Sequence, residues 1–201
     1  MKLISHRRNT ITELESTEKC YGVEIDIRTY NDKLIIHHEP FIEGEDLENW
    51  LSFYDHNFLI LNVKEEGLEE RILHMMKKFS IEDFFFLDQS FPFLIKYANL
   101  DESRCAVRFS EFESIDTVLN LKNKVDWVWV DCFTHFPLTK DIFLSLRDSN
   151  FKICIVSPEL QGRNDISEIA NIYNFMQKND ITADAICSKN IDVWERLMDS
   201  K

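Results

Sequence analysis

The feature that most constrains the fold is an alternation repeated eight times along the chain. Apolar runs with strand character occupy residues 2–5, 23–28, 58–64, 84–88, 105–109, 127–133, 152–157 and 183–188. Segments with apolar residues every three to four positions follow them, near 10–19, 46–53, 67–79, 91–99, 111–121, 139–148, 166–178 and 190–199. Strands that alternate with helices form successive βαβ units, whose strands pair in parallel. Eight such units predict an α/β protein of the (β/α)8 TIM-barrel type rather than an open doubly wound sheet. The 201 residues allow about 25 per unit, against a usual total of roughly 250 for this architecture, so the barrel must be compact and some helices short. No linker, Pro-rich tract or internal repeat interrupts the pattern, which reads as a single domain over 1–201. Residues 33–38 form an extra apolar stretch, an excursion from the loop after the second strand.

Composition narrows the function classes. Apolar residues make up 44% of the chain, sixteen of them Phe, which is ample for a core and excludes a disordered segment. A formal charge of −13 excludes a broadly basic surface, so nucleic acid is not expected as a partner. No apolar run reaches about 18 residues, so stable membrane insertion is not expected, and the first ten residues lack the apolar core of a secretory signal. The five cysteines form no CxxC pair, and four lie in apolar runs; they read as buried thiols in a reducing cytoplasm.

Polar residues mark where chemistry would sit. Along a strand, positions two apart share a face. The second run places Glu24, Asp26 and Arg28 on one face, the third Asn62 and Lys64, the fourth Asp88 and Ser90, the fifth Arg108 and Ser110. The sixth offers Asp131, the seventh Ser157 and Glu159, the eighth Ser188, and the first ends in His6-Arg7. In a barrel, catalytic groups come from the C-terminal ends of several strands. Two carboxylates on one face, about 7 Å apart along the strand, can share a hard divalent cation. Lys64 and Arg108 face the same way and could neutralise a phosphate, or else pair with those carboxylates. His6 and His38 can divide general acid and general base work near neutral pH. His56 and His74 read as surface or packing residues.

These residues resemble the glycerophosphodiester phosphodiesterase family, within the phospholipase C-like phosphodiesterase barrels. The likeness rests on His6-Arg7, Asn9-Thr10, Glu24-x-Asp26, the run Leu34-Ile35-Ile36-His37-His38-Glu39-Pro40 and a third strand ending in Lys64, all within the first 64 residues. The resemblance implies a TIM barrel that hydrolyses a small phosphodiester with bound Mg²⁺ or Ca²⁺. It implies His6 and His38 as the acid–base pair, Glu24, Asp26 and Asn62 as metal ligands, and Arg7 and Lys64 as phosphate contacts. Three positions depart from the family pattern: Arg8 stands in place of Gly, Glu39 in place of Asp, and Asn62 in place of the third metal carboxylate. An amide oxygen can ligate such a cation but carries no charge, so Asp88, Asp131 or Glu159 would be called on to help. The usual insertion after the second histidine is absent, which leaves the substrate open.

Two alternatives stand beside this reading. A sphingomyelinase D-like enzyme would act on phospholipids and would need an exposed apolar rim, for which Phe41, Trp50, Phe133 and Phe136 are candidates. A catalytically degenerate barrel would bind a phosphorylated metabolite without turnover, as Asn62 and Arg8 would suggest.

Overall fold

The computed structural model describes residues 1–200. They divide into two compact units: Ser5–Leu100, and Asp101 onward together with Met1–Ile4. The chain opens with β1 (Lys2–Ser5), whose first residues belong to the second of these units.

The Ser5–Leu100 unit contains α1 (Ile11–Glu15), β2 (Gly22–Tyr30), β3 (Lys33–Ile36), β4 (Glu45–Asp46), α2 (Leu47–Leu51), β5 (Leu59–Val63), α3 (Glu69–Lys78), β6 (Phe84–Leu87) and α4 (Phe91–Ala98). Its strand order is β4-β3-β2-β5-β6. β2 pairs in parallel with β5, and β5 with β6, as βαβ units require. β3 runs antiparallel to β2, with Tyr30 opposite Lys33. The two residues between them, Asn31 and Asp32, both have positive φ (47° and 61°). That is the I′-type turn that matches the twist of paired strands, and Asn and Asp tolerate it best after Gly. The excursion after the second strand is therefore a hairpin that carries the chain back to the level at which β2 began to turn polar.

Along β2, Val23, Ile25 and Ile27 are fully buried on one face, and Glu24 and Asp26 are buried on the other. Helix α1 starts at a reciprocal cap, in which the Thr10 hydroxyl accepts from Glu13 N–H and the Glu13 carboxylate accepts from Thr10 N–H. Both α1 and the helix expected near 111–121 are shorter than their apolar spacing suggested, at five residues each. Trp50, expected among the exposed aromatics, is fully buried instead: its indole N–H donates to the Arg8 carbonyl at 3.0 Å, so the polar tip needs no water. Phe41 is 96% exposed and Phe133 37%.

The second unit contains β1, β7 (Ala106–Phe109), α5 (Ile115–Leu119), β8 (Trp127–Val130), α6 (Lys140–Asp148), β9 (Lys152–Val156), a 3-10 turn (Pro158–Gln161), α7 (Ser167–Lys178), β10 (Ala185–Ser188) and α8 (Ile191–Asp199). Its strand order is β1-β10-β9-β8-β7, and β7 through β10 pair in parallel. Each of the eight runs expected from the sequence contains a strand, and β3 and β4 are additional. All five cysteines are free thiols; four are buried and Cys20 is exposed. No helix among the described residues is long and apolar enough to cross a membrane.

Candidate active site

Eight of the residues singled out in the sequence come together within the Ser5–Leu100 unit. Asp26 and Asn62 are register partners on β2 and β5, so their side chains share the face that also carries Glu24. The hairpin explains the arrival of His38. β3 returns antiparallel, His37 N–H donates to the Asp26 carbonyl at 2.9 Å, and the next residue swings its ring against the Asp26 carboxylate. Gly44 keeps this segment in place: a Cβ there would run into the Ile36 carbonyl oxygen and would stand 2.9 Å from His37 Cβ. His6 and Arg7 follow β1 directly, and Arg7 adopts a positive φ of 52°, a conformation disfavoured for a residue with a Cβ.

The two carboxylates have different surroundings. Asp26 is fully buried but ringed by donors. Lys64 Nζ lies 3.2 Å from Oδ1, while Asn9 Nδ2 donates to Oδ2 at 2.9 Å and Arg7 Nε lies 3.4 Å from it. Asn9 also accepts from Asp26 N–H at 3.0 Å, clamping the residue at two points. Burial pushes the Asp26 carboxyl up, but Lys64, Asn9, His38 and Arg7 together outweigh it and hold it below its usual range. Glu24 is pushed up to about 7, by burial first and by the Asp26 charge second. The Asn62 amide at 2.9 Å and the Arg7 backbone N–H at 2.8 Å offset only part of that shift.

Donor chemistry fixes the tautomer of His38. An arginine guanidinium can only donate, and Arg7 Nη2 lies 2.9 Å from His38 Nε2, so Nε2 accepts. The ring proton therefore sits on Nδ1, which donates to Asp26 Oδ2 at 3.2 Å. His6 Nε2 lies 3.7 Å from Glu24 Oε2. Asp88, also at positive φ (62°), meets Lys64 Nζ at 3.2 Å.

The donor set suits a hard cation. Glu24, Asp26 and Asn62 offer two carboxylates and one amide oxygen on one face of adjoining strands. Asn62 Oδ1 and Asp26 Oδ1 are buried without an aligned hydrogen bond, although Asp26 Oδ1 has the Lys64 ammonium nearby. Among the described residues no group of three His, Cys, Asp or Glu side chains is placed to hold a metal ion. The third donor would have to be the amide.

The remaining candidates lie in the other unit and are engaged there. Arg108 pairs with the fully buried Asp131, whose other oxygen accepts from Gln161 Nε2. Glu159 accepts from both Ser157 and Ser188 hydroxyls and from Lys189 N–H, and Trp194 Nε1 donates to Ser157 Oγ at 2.9 Å. This is a buried polar network with its demands met. Sequence reasoning missed Asn9 as a site residue and Gln161 altogether. The available signal for Asn9 was a polar residue two positions after Arg7, ahead of a helix cap.

No protein-family model matches this chain, and no curated protein matches it in sequence. Solved structures do match. One described as a glycerophosphoryl diester phosphodiesterase of Agrobacterium tumefaciens C58 superposes with a TM-score of 0.71 at 10% identity, over 100% of this chain and 98% of its own. A glycerophosphodiester phosphodiesterase from the same organism gives 0.64 at 12% identity, over 97% and 99%. A mutant tryptophan synthase α-subunit from Pyrococcus furiosus gives 0.59 at 10% identity, over 98% and 95%. These likenesses show the fold, the α/β barrel class expected from the strand count. That proteins with two different names share it means that any activity has to be argued from the site.

Proposed function

We propose that this chain is a phosphoric diester hydrolase acting on a glycerophosphodiester-like or related small phosphodiester. The observation that carries this reading is the convergence of His6 and His38 on the Glu24–Asp26 pair, with Arg7 and Lys64 beside them. The names of two of the solved structures with this fold agree with it. Arg7 and Lys64 bind the substrate phosphate by charge-assisted hydrogen bonds. Arg7 thereby leaves His38 Nε2, and that lone pair takes a proton from the attacking water. Asp26 holds the ring in the Nδ1–H tautomer and stabilises the imidazolium that forms. The water oxygen forms a new bond to phosphorus, the bond to the leaving oxygen breaks, and His6 delivers its proton to that alkoxide. Glu24 Oε2, 3.7 Å from His6 Nε2, lies beside the ring at this step. Mg²⁺ or Ca²⁺ would be held by Glu24, Asp26 and the Asn62 amide oxygen, where it supplies charge neutralisation for a phosphate oxygen.

The test is turnover of bis(p-nitrophenyl) phosphate and of glycerophosphodiesters by the wild type and by His6→Ala and His38→Ala. Each variant is expected to lose about a hundredfold or more in kcat while remaining folded. Wild-type activity retained in either variant removes that histidine from the mechanism, and an inactive wild type returns the chain to the non-catalytic binding reading.

A further inference from the structure

Arg28 shares the face of Glu24 and Asp26, but its hydrogen bonds and ion pair go to other residues. Its Nε donates to the His38 carbonyl at 3.0 Å, and its Nη1 donates to the Lys64 carbonyl at 3.3 Å. These carbonyls belong to residues just beyond β3 and β5, the two strands that flank β2 on opposite sides. The guanidinium therefore spans the site floor from one neighbour of β2 to the other, and its two anchor points are a proposed base and a proposed phosphate ligand. Its side chain is only 15% exposed. A buried cation that donates to neutral carbonyls needs an anion as well. Glu65 supplies one: its Oε1 lies 3.7 Å from Arg28 Nη1, and its Oε2 accepts from Thr29 N–H at 3.2 Å and from the Thr29 hydroxyl at 2.5 Å. Arg28, Thr29 and Glu65 thus form a strut: the Arg28 donors end on the backbone of His38 and Lys64, and the Thr29 donors hold Glu65.

We propose that Arg28, braced by Glu65, is a positioning residue that sets the spacing between the His38 base and the Lys64 ammonium. The inference rests on the phosphodiesterase reading for its effect on rate, and on geometry alone for its effect on structure. Strand-end carbonyls have lost their ladder partners, and an unpaired one is free to tilt. Arginine's rigid fork satisfies two of them at fixed separation; a lysine ammonium is a point charge on a flexible stem and holds no such angle. Misplacement of a catalytic group by about 1 Å can cost on the order of a hundredfold in rate.

The experiment compares Arg28→Ala, Arg28→Lys and Glu65→Gln with the wild type in kinetics and in amide hydrogen exchange. In Arg28→Ala and Arg28→Lys, kcat should fall roughly ten- to hundredfold with KM little changed, and Glu65→Gln should fall between them and the wild type. Millimolar guanidinium should restore part of the Arg28→Ala rate. Exchange should rise together at residues 37–39 and 64–66 while β6 keeps its protection. Arg28→Ala with wild-type kcat overturns the positioning role. So does a loss confined to KM, which would make Arg28 a substrate contact, and so does an exchange increase spread through the whole unit. If the wild type hydrolyses no phosphodiester, the functional reading fails, while paired or unpaired exchange at the two segments still decides whether the strut exists.

Discussion

Asn62 is the residue at which this site departs most from the pattern its sequence resembles. In the structure its amide answers Glu24 rather than leaving a third carboxylate beside a pair that already repels. Asn62→Asp should therefore destabilise the metal-free protein by about 2–4 kcal/mol, the scale of an uncompensated buried charge. For a chain of this length that is roughly 5–12 °C in Tm. Millimolar Ca²⁺ or Mg²⁺ should raise the variant's Tm by more than it raises the wild type's. A variant whose Tm ignores both ions would show that this face does not hold a divalent cation. The grouping of Asn62 with Glu24 and Asp26 was implied by the resemblance, while the Asp26–Asn62 register comes from the pairing of β2 with β5, which spacing along one strand does not give. The His38 tautomer was not legible, because it depends on Arg7 turning its guanidinium back from a left-handed backbone to reach the ring. Nothing in a string of residue types records that.

At the scale of elements, loops as well as strands are tied by carboxylates. Glu111, after β7, accepts from Thr134 N–H, from the Thr134 hydroxyl at 2.8 Å and from His135 N–H at 3.1 Å, so it staples the loop after β8. Burial opposes the charge, but these donors hold the Glu111 carboxyl down to about 2. A carboxylate whose folded pKa is depressed contributes stability above its unfolded value near 4.5, and that stability is lost as pH falls toward 2. Acid unfolding followed by circular dichroism should therefore show Glu111→Gln less stable than wild type at pH 6, with the difference closing between about pH 4.5 and 2. A difference that stayed constant with pH would deny the staple its charge. Glu159→Ala should cost more, about 3 kcal/mol, because it strands two buried hydroxyls and the Lys189 N–H, and chemical denaturation would measure it. Element boundaries were harder to read than element identities. The sixth run was expected to extend to Phe133, yet β8 stops at Val130, where Asp131 turns to Arg108 and Gln161. The apolar pattern continues past that point, and only the tertiary partner ends the strand.

Across the chain, the residues proposed for the chemistry fall within one of the two units. His6, Arg7, Glu24, Asp26, His38, Asn62, Lys64 and Asp88 all lie in the Ser5–Leu100 unit. In the other unit the acidic residues Asp131 and Glu159 have their oxygens committed to neighbours of the same unit. This division has a consequence for mutational tolerance. A library of single substitutions scored separately for abundance in cells and for catalysis should separate by position. Changes at Asp131 and Glu159 should lower catalysis only as far as they lower abundance, because they act through folding. Changes at the eight positions above should lower catalysis while leaving much of the protein present. On the proposed reading, the constraints differ in kind: the eight positions are held by the proposed reaction, whereas Asp131 and Glu159 are held by the hydrogen bonds and ion pairs they make.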